Sequence, residues 1–112
     1  MKHVHYSEVE LEKANEEGAK DVELRWLISK KDGAERFAMR LFEVQPGGHT
    51  PFHQHDWEHE VFILEGNGIA KGKDIEESFK PGDIFFIPPM EWHQFINTGE
   101  ETLKFLCIIP YK

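Results

Sequence analysis

His53, His55, His59 and His93 have the residue type and the spacing of a metal centre. His53 and His55 are two positions apart, so on an extended strand both imidazoles project to one side. The short segment Asp56-Trp57-Glu58 can return His59 to the same centre, and His93 must then come from a strand that the fold brings alongside. Neutral imidazole is the commonest protein ligand for metals. A set of nitrogens alone suits a divalent transition ion, and ligand type by itself admits Zn2+, Cu2+, Fe2+ or Ni2+. His3, His5 and His49 lack this organisation and are expected to be ordinary surface or core residues.

Short strands must position these ligands. Asp21 to Ile28 is strand-like, and Lys31-Asp32-Gly33 marks a hairpin. Arg36 to Val44 follows, with Pro46-Gly47-Gly48 expected to stop it. Further strands are expected at Glu60 to Leu64, Ile69 to Lys71, Ile75 to Phe79, Ile84 to Ile87, Trp92 to Asn97 and Thr102 to Ile109. Gly- and Pro-containing turns separate them, with almost no helical periodicity, and this pattern predicts an all-β antiparallel sandwich or barrel. Alternation places His93, Phe95 and Asn97 on one face, and Leu103, Phe105, Cys107 and Ile109 inward, opposite Lys104. Residues 1–20 are expected to form a polar surface arm and residues 21–112 the barrel.

The bulk properties exclude several functions. The chain has 112 residues, enough for one domain with one core. Its formal charge is −8, with 21 acidic against 13 basic residues, and no basic block is available to displace counterions from nucleic acid or to meet an anionic membrane. No apolar run approaches the roughly 20 residues of a spanning helix. The N-terminal residues Met1 to Ser7 contain no apolar signal core, so no signal peptide is expected. A single Cys107 cannot form an internal disulfide, which fits a reducing cytoplasm.

The two histidine segments resemble the paired motifs of the cupins. In the first motif Gly47, His53 and His55 match, and Gly66 is the closing glycine. In the second Gly82, Pro88, His93 and Asn97 match, while Met90 replaces the family glycine, so the turn there is expected to differ in shape. The glutamate position of the first motif can be taken by His59 or Glu60. Six residues separate His59 from Gly66, as the motif requires, so His59 occupies the position and Glu60 is the alternative ligand. The segment Gln54 to Glu60 is similar to that of four-histidine cupins associated with manganese, with Asp56 where they carry proline. The resemblance implies a jelly-roll β-barrel (the cupin double-stranded β-helix) holding a divalent metal, Mn2+ first and Fe2+, Ni2+, Cu2+ or Zn2+ otherwise.

Four neutral imidazoles leave the charge of such an ion uncompensated, which favours anionic oxygen ligands or an acidified water. Arg40, Trp57, Phe95, Phe105, Cys107 and Ile109 are the candidates for a substrate pocket. Three of them have a plainer alternative: Arg40 as an interface ion pair, Trp57 as packing, and Cys107 as an inert buried thiol. The resemblance implies a metal-dependent oxygenase or oxidase acting on a small organic molecule. A non-catalytic module that binds or senses a ligand, or an isomerase or lyase, are the other classes. Bulky outward residues such as Phe62, Leu64 and Ile108 predict a homodimer.

Overall fold

A computed structural model describes residues 1–111; Lys112, the last residue of the expected barrel, lies outside the described residues. The strands are β1 (Glu12–Lys13), β2 (Lys20–Ile28), β3 (Phe37–His49), β4 (His59–Glu65), β5 (Gly68–Lys71), β6 (Glu76–Phe79), β7 (Ile84–Ile87), β8 (Gln94–Asn97) and β9 (Leu103–Pro110). They form a curled antiparallel sheet in the order β6-β5-β8-β3-β9-β4-β7, with β2 also pairing β3 and β1 pairing β2. This is the jelly-roll barrel that the resemblance implied, within the all-β antiparallel class that the turn spacing predicts.

The expected stop at Pro46 does not occur. β3 continues to His49, pairing β9 through residues 37–44 and reaching β8 where His49 faces Ile96. Gly47 takes φ +81°, and a Cβ on Gly48 would lie 2.6 Å from the Lys20 carbonyl oxygen. These glycines therefore bend the strand across the barrel instead of ending it. The hairpin signal at Lys31-Asp32-Gly33 is a 3-10 turn, Lys30–Asp32, capped by the Ser29 side chain and closed by Gly33 at φ 89°. The N-terminal segment carries a second 3-10 turn, Tyr6–Glu8, before β1 joins the sheet edge.

Alternation sets the core. Val22, Val44, Val61, Ile63, Phe79, Ile87, Phe95, Leu103, Phe105 and Cys107 form one buried cluster. Their β8 and β9 members are the inward residues that period two assigns. Asn97 is buried with them and fully engaged: its Nδ2 donates to the carbonyls of Val44 and Glu101, each at 2.8 Å, and its Oδ1 accepts from Gly99 N at 2.9 Å.

Candidate metal centre

Backbone hydrogen bonds bring the histidines together. His53 and His93 pair as an isolated antiparallel bridge, His53 N donating to His93 O at 3.2 Å and His93 N to His53 O at 2.9 Å. Met90 N donates to His55 O, which ties the second motif's turn to the first motif. Met90 itself sits at φ 67°, so despite the changed side chain the turn keeps the left-handed conformation that a glycine adopts freely.

The ligand atoms of His53, His55 and His93 all lie within 4.8 Å of one another. His59 lies beside this trio, its ring centroid 5.1 Å from that of His55 and 4.9 Å from that of His93. β4 begins at His59 and alternates regularly, so His59 is buried and Glu60 is exposed on the outer face. The alternative ligand Glu60 therefore does not face the cavity. No bulge shifts the register between residues 59 and 60, which face Ile87 and Phe86 in turn.

In His53, His59 and His93 the engaged Nδ1 leaves Nε2 as the nitrogen available to a metal. His93 Nδ1 lies 2.9 Å from the Glu91 carbonyl oxygen, which can only accept, so Nδ1 carries the proton and Nε2 keeps its lone pair. His53 Nδ1 lies 3.0 Å from Glu16 Oε2, with the same consequence. His59 Nδ1 contacts Cys107 Sγ at 3.2 Å, and its Nε2 is buried with no hydrogen-bond partner. His55 Nε2 and His53 Nε2 face each other at 3.2 Å. At metal–nitrogen distances of about 2.1 Å, neighbouring ligands on one ion lie roughly 3.0–3.4 Å apart. The trio His53, His55 and His93 thus fits a divalent ion held by ring-nitrogen lone pairs.

All four rings favour the neutral form that ligation needs. Burial is the main cause; the neighbouring imidazoles and the Arg40 charge push in the same direction on His55, down to about 4, and on His59, down to about 3. Burial also lowers His53 and His93. An unfolded chain protonates its histidines near pH 6.5. Below that pH the unfolded state binds more protons than the folded one, so acid favours unfolding until the folded rings titrate near 4 and 3. Thermal melts in chelator should therefore show the metal-free protein losing stability as pH falls from 6.5 to 5, above the carboxylate range. A flat or rising midpoint across that window would contradict a neutral site.

A cavity of about 50 Å³ adjoins the four histidines, lined also by Arg40, Phe42, Val61, Ile87, Phe95, Phe105 and Cys107. Of the expected pocket residues, Trp57 and Ile109 are not in this lining. The Trp57 ring instead stacks on His55, centroids 4.4 Å apart and nearly parallel, and braces that ring from its other side. Ile109 pairs Ala38 in the sheet and packs against the core from beyond the cavity. Cys107 is present as expected, and burial pushes its thiol up, so it stays protonated.

Glu16 was missed. It belongs to the arm, where a polar, aperiodic sequence gives no sign that one carboxylate turns inward to His53. A carboxylate behind a ligating imidazole fixes its tautomer and orientation, and losing such a partner typically costs 10–100-fold in metal affinity. Glu16 is more than half exposed, so the lower end applies: Glu16→Gln should weaken metal binding about tenfold in a competition titration, with the melting temperature of the metal-free protein unchanged.

Residues 40–109 match the cupin domain family, and the chain belongs to it. A curated relative, 1-methylthio-D-xylulose 5-phosphate methylsulfurylase of Rhodospirillum rubrum, is 41% identical over 71 residues, 63% of this chain; the chain spans about half of that relative's length, 46%. An oxalate-binding protein of Thermotoga maritima is 37% identical over 98 residues, covering 82% of this chain and 78% of the relative. Among solved structures, a polyketide cyclase from Streptomyces resistomycificus superposes with a TM-score of 0.95 at 42% identity, over 100% of this chain and 80% of that one. Glu16 lies outside the matched residues 40–109.

Proposed function

We propose that His53, His55, His59 and His93 hold a divalent transition metal, Mn2+ or Fe2+ first, and that the protein is an oxygenase or oxidase acting on a small organic substrate at that centre. The observation that carries the metal reading is the set of ring nitrogens left over: the Nδ1 atoms of His53, His59 and His93 are engaged elsewhere, while Nε2 of His59 is buried without a partner and those of His53 and His55 face each other. When bound, such an ion supplies Lewis acidity and a redox couple. The chain's own groups do the rest. Trp57 and Glu16 hold ligand rings in place, and Val61, Ile87, Phe95 and Phe105 give the cavity an apolar lining.

A second reading, a metallo-cupin that binds a small molecule without turnover, is favoured by one specific feature. The cavity has no pair of carboxylates for acid–base work, since Glu16 is its one lining carboxylate and is engaged with His53. The similarity to an oxalate-binding protein points the same way. An isomerase or lyase is the third class. Metal analysis of the purified protein, followed by oxygen-electrode measurements with small organic acids on Mn2+- and Fe2+-loaded samples, separates these readings. Oxygen uptake that His59→Ala abolishes supports the oxygenase. Turnover without oxygen points to the isomerase or lyase, thermal stabilisation without turnover to the binding module, and absence of bound metal overturns the four-histidine centre.

Self-association belongs to the same proposal. Phe62 and Leu64 of β4 and Ile84 and Phe86 of β7 are exposed at 44%, 40%, 74% and 58% on adjacent strands, and β7 is a free sheet edge. We propose that a second copy covers this face. Sedimentation should show a dimer that Phe86→Glu dissociates; a monomer at all concentrations would refute it. No helix among the described residues is long and apolar enough to cross a membrane, and the lone thiol of Cys107 suits the reducing cytoplasm this reading assigns.

A further inference from the structure

Among the described residues Arg40 is a cation without an anion. It sits on the inner face of β3, opposite Trp26 in β2 and Cys107 in β9. Its guanidinium lies 5.5 Å from the Trp26 ring centre and 4.9 Å from that of Phe42. Aromatic faces stack a guanidinium and hold its plane, leaving its N–H edge to be satisfied elsewhere. Among the described residues, the single hydrogen-bond partner of that edge is the Cys107 sulfur, 3.1 Å from Nη2. Nε is buried with no partner.

This is unexpected in a chain with 21 acidic residues against 13 basic ones. Among the described residues no carboxylate lies within ion-pair distance of Arg40, and the one that lines the same cavity, Glu16, contacts His53 instead. A sequestered guanidinium lacking a counter-charge is costly unless an anion completes it. The plainer expectation for Arg40, an ion pair with an acid at an interface, does not suit a side chain that turns into the cavity.

We infer that Arg40 is the anion-recognition residue of this cavity: the ligand is a small organic carboxylate, one part of which meets the guanidinium while the other faces the four histidines. This rests on the metal reading for the second contact, and it names the ligand class which that reading leaves open. An ion carried by neutral imidazoles adds further positive charge, so both ends of the cavity select for anions. The free space of about 50 Å³ is well below the roughly 300–1,000 Å³ of drug-sized pockets, which limits the buried part to a few non-hydrogen atoms. A guanidinium engages a carboxylate through two parallel hydrogen bonds, a geometry that an ammonium reproduces only in charge.

The test uses oxalate and its neutral diamide, oxamide, as probes of Mn2+-loaded wild-type, Arg40→Gln and Arg40→Lys proteins. Calorimetry gives the affinities, and electron paramagnetic resonance on the same samples gives the metal content. The expected result is a loss of at least tenfold in oxalate affinity for Arg40→Gln, partial recovery in Arg40→Lys, unchanged metal content, and no effect of either substitution on the weaker oxamide. Equal oxalate affinity in wild type and Arg40→Gln overturns the assignment, as does an equal loss of oxalate and oxamide. If the wild-type protein takes up no metal, the metal reading fails by itself. Thermal stabilisation of the metal-free proteins by oxalate then decides the role of Arg40: stabilisation that Arg40→Gln removes sustains it, and stabilisation that survives the substitution, or none at all, ends it.

Discussion

Alanine in place of His93 is expected to abolish tight metal binding while leaving the barrel folded. The imidazole is one of three whose ligand atoms lie within 4.8 Å of one another, and its proton-bearing Nδ1 is fixed by the Glu91 carbonyl. Removing it deletes a lone pair that no neighbour replaces. Loss of an outer partner costs 10–100-fold in affinity, so loss of a ligand should exceed about a hundredfold. The two hydrogen bonds that join residues 53 and 93 come from the backbone, so alanine keeps them. Equilibrium dialysis against Mn2+ and Zn2+, with His49→Ala as the control, checks the prediction: His49 contacts Thr50 and Gln94 and is outside the ligand trio. Unchanged binding in His93→Ala would remove the centre from this place in the barrel.

The second large effect is on stability. Asn97→Ala removes a 1% exposed side chain that serves two carbonyls and one amide. Each hydrogen bond contributes about 0.5–1.5 kcal/mol net, and each buried backbone group left unpaired costs about 1–3 kcal/mol. Water can reach the turn at Gly99 and Glu101 but not Val44, which is 0% exposed. The expected loss is therefore about 3 kcal/mol, a large part of the 5–15 kcal/mol that holds a domain folded. For a chain of this size it should lower the melting temperature by roughly 10 °C. A shift of only a degree or two would mean that the turn relaxes to satisfy itself.

The site was legible where period and motif spacing agreed. His59 and Glu60 are chemically plausible alternatives, and the distance to Gly66 chose the residue that β4 turns inward. His93, Phe95 and Asn97 share a buried face because strand alternation carries through β8. Arg40 entered the cavity for the same reason, between Ala38 and Phe42 on alternate positions of β3. What failed to show in the sequence depends on contacts across the fold. Pro46-Gly47-Gly48 has the composition of a stop, yet the approach of the Lys20 carbonyl turns it into a bend within β3. Ile109 has the inward parity of Cys107 but lies one step beyond the cavity's end. Trp57 braces a ligand from outside, and Glu16 comes from a segment with no periodicity to read.

The backbone bridge between residues 53 and 93 has a mechanical consequence. It joins two parts of the chain separated by strands β4 to β7. An ion gripped there from both sides would act as a reversible cross-link, closing a long loop much as a disulfide does in proteins that can oxidise their thiols. Global opening would then have to await release of the ion, so the lifetime of the folded state would follow metal supply. Such a chain would carry a record of its own loading in how long it survives, and a proteolytic system could remove unloaded copies without recognising the site at all.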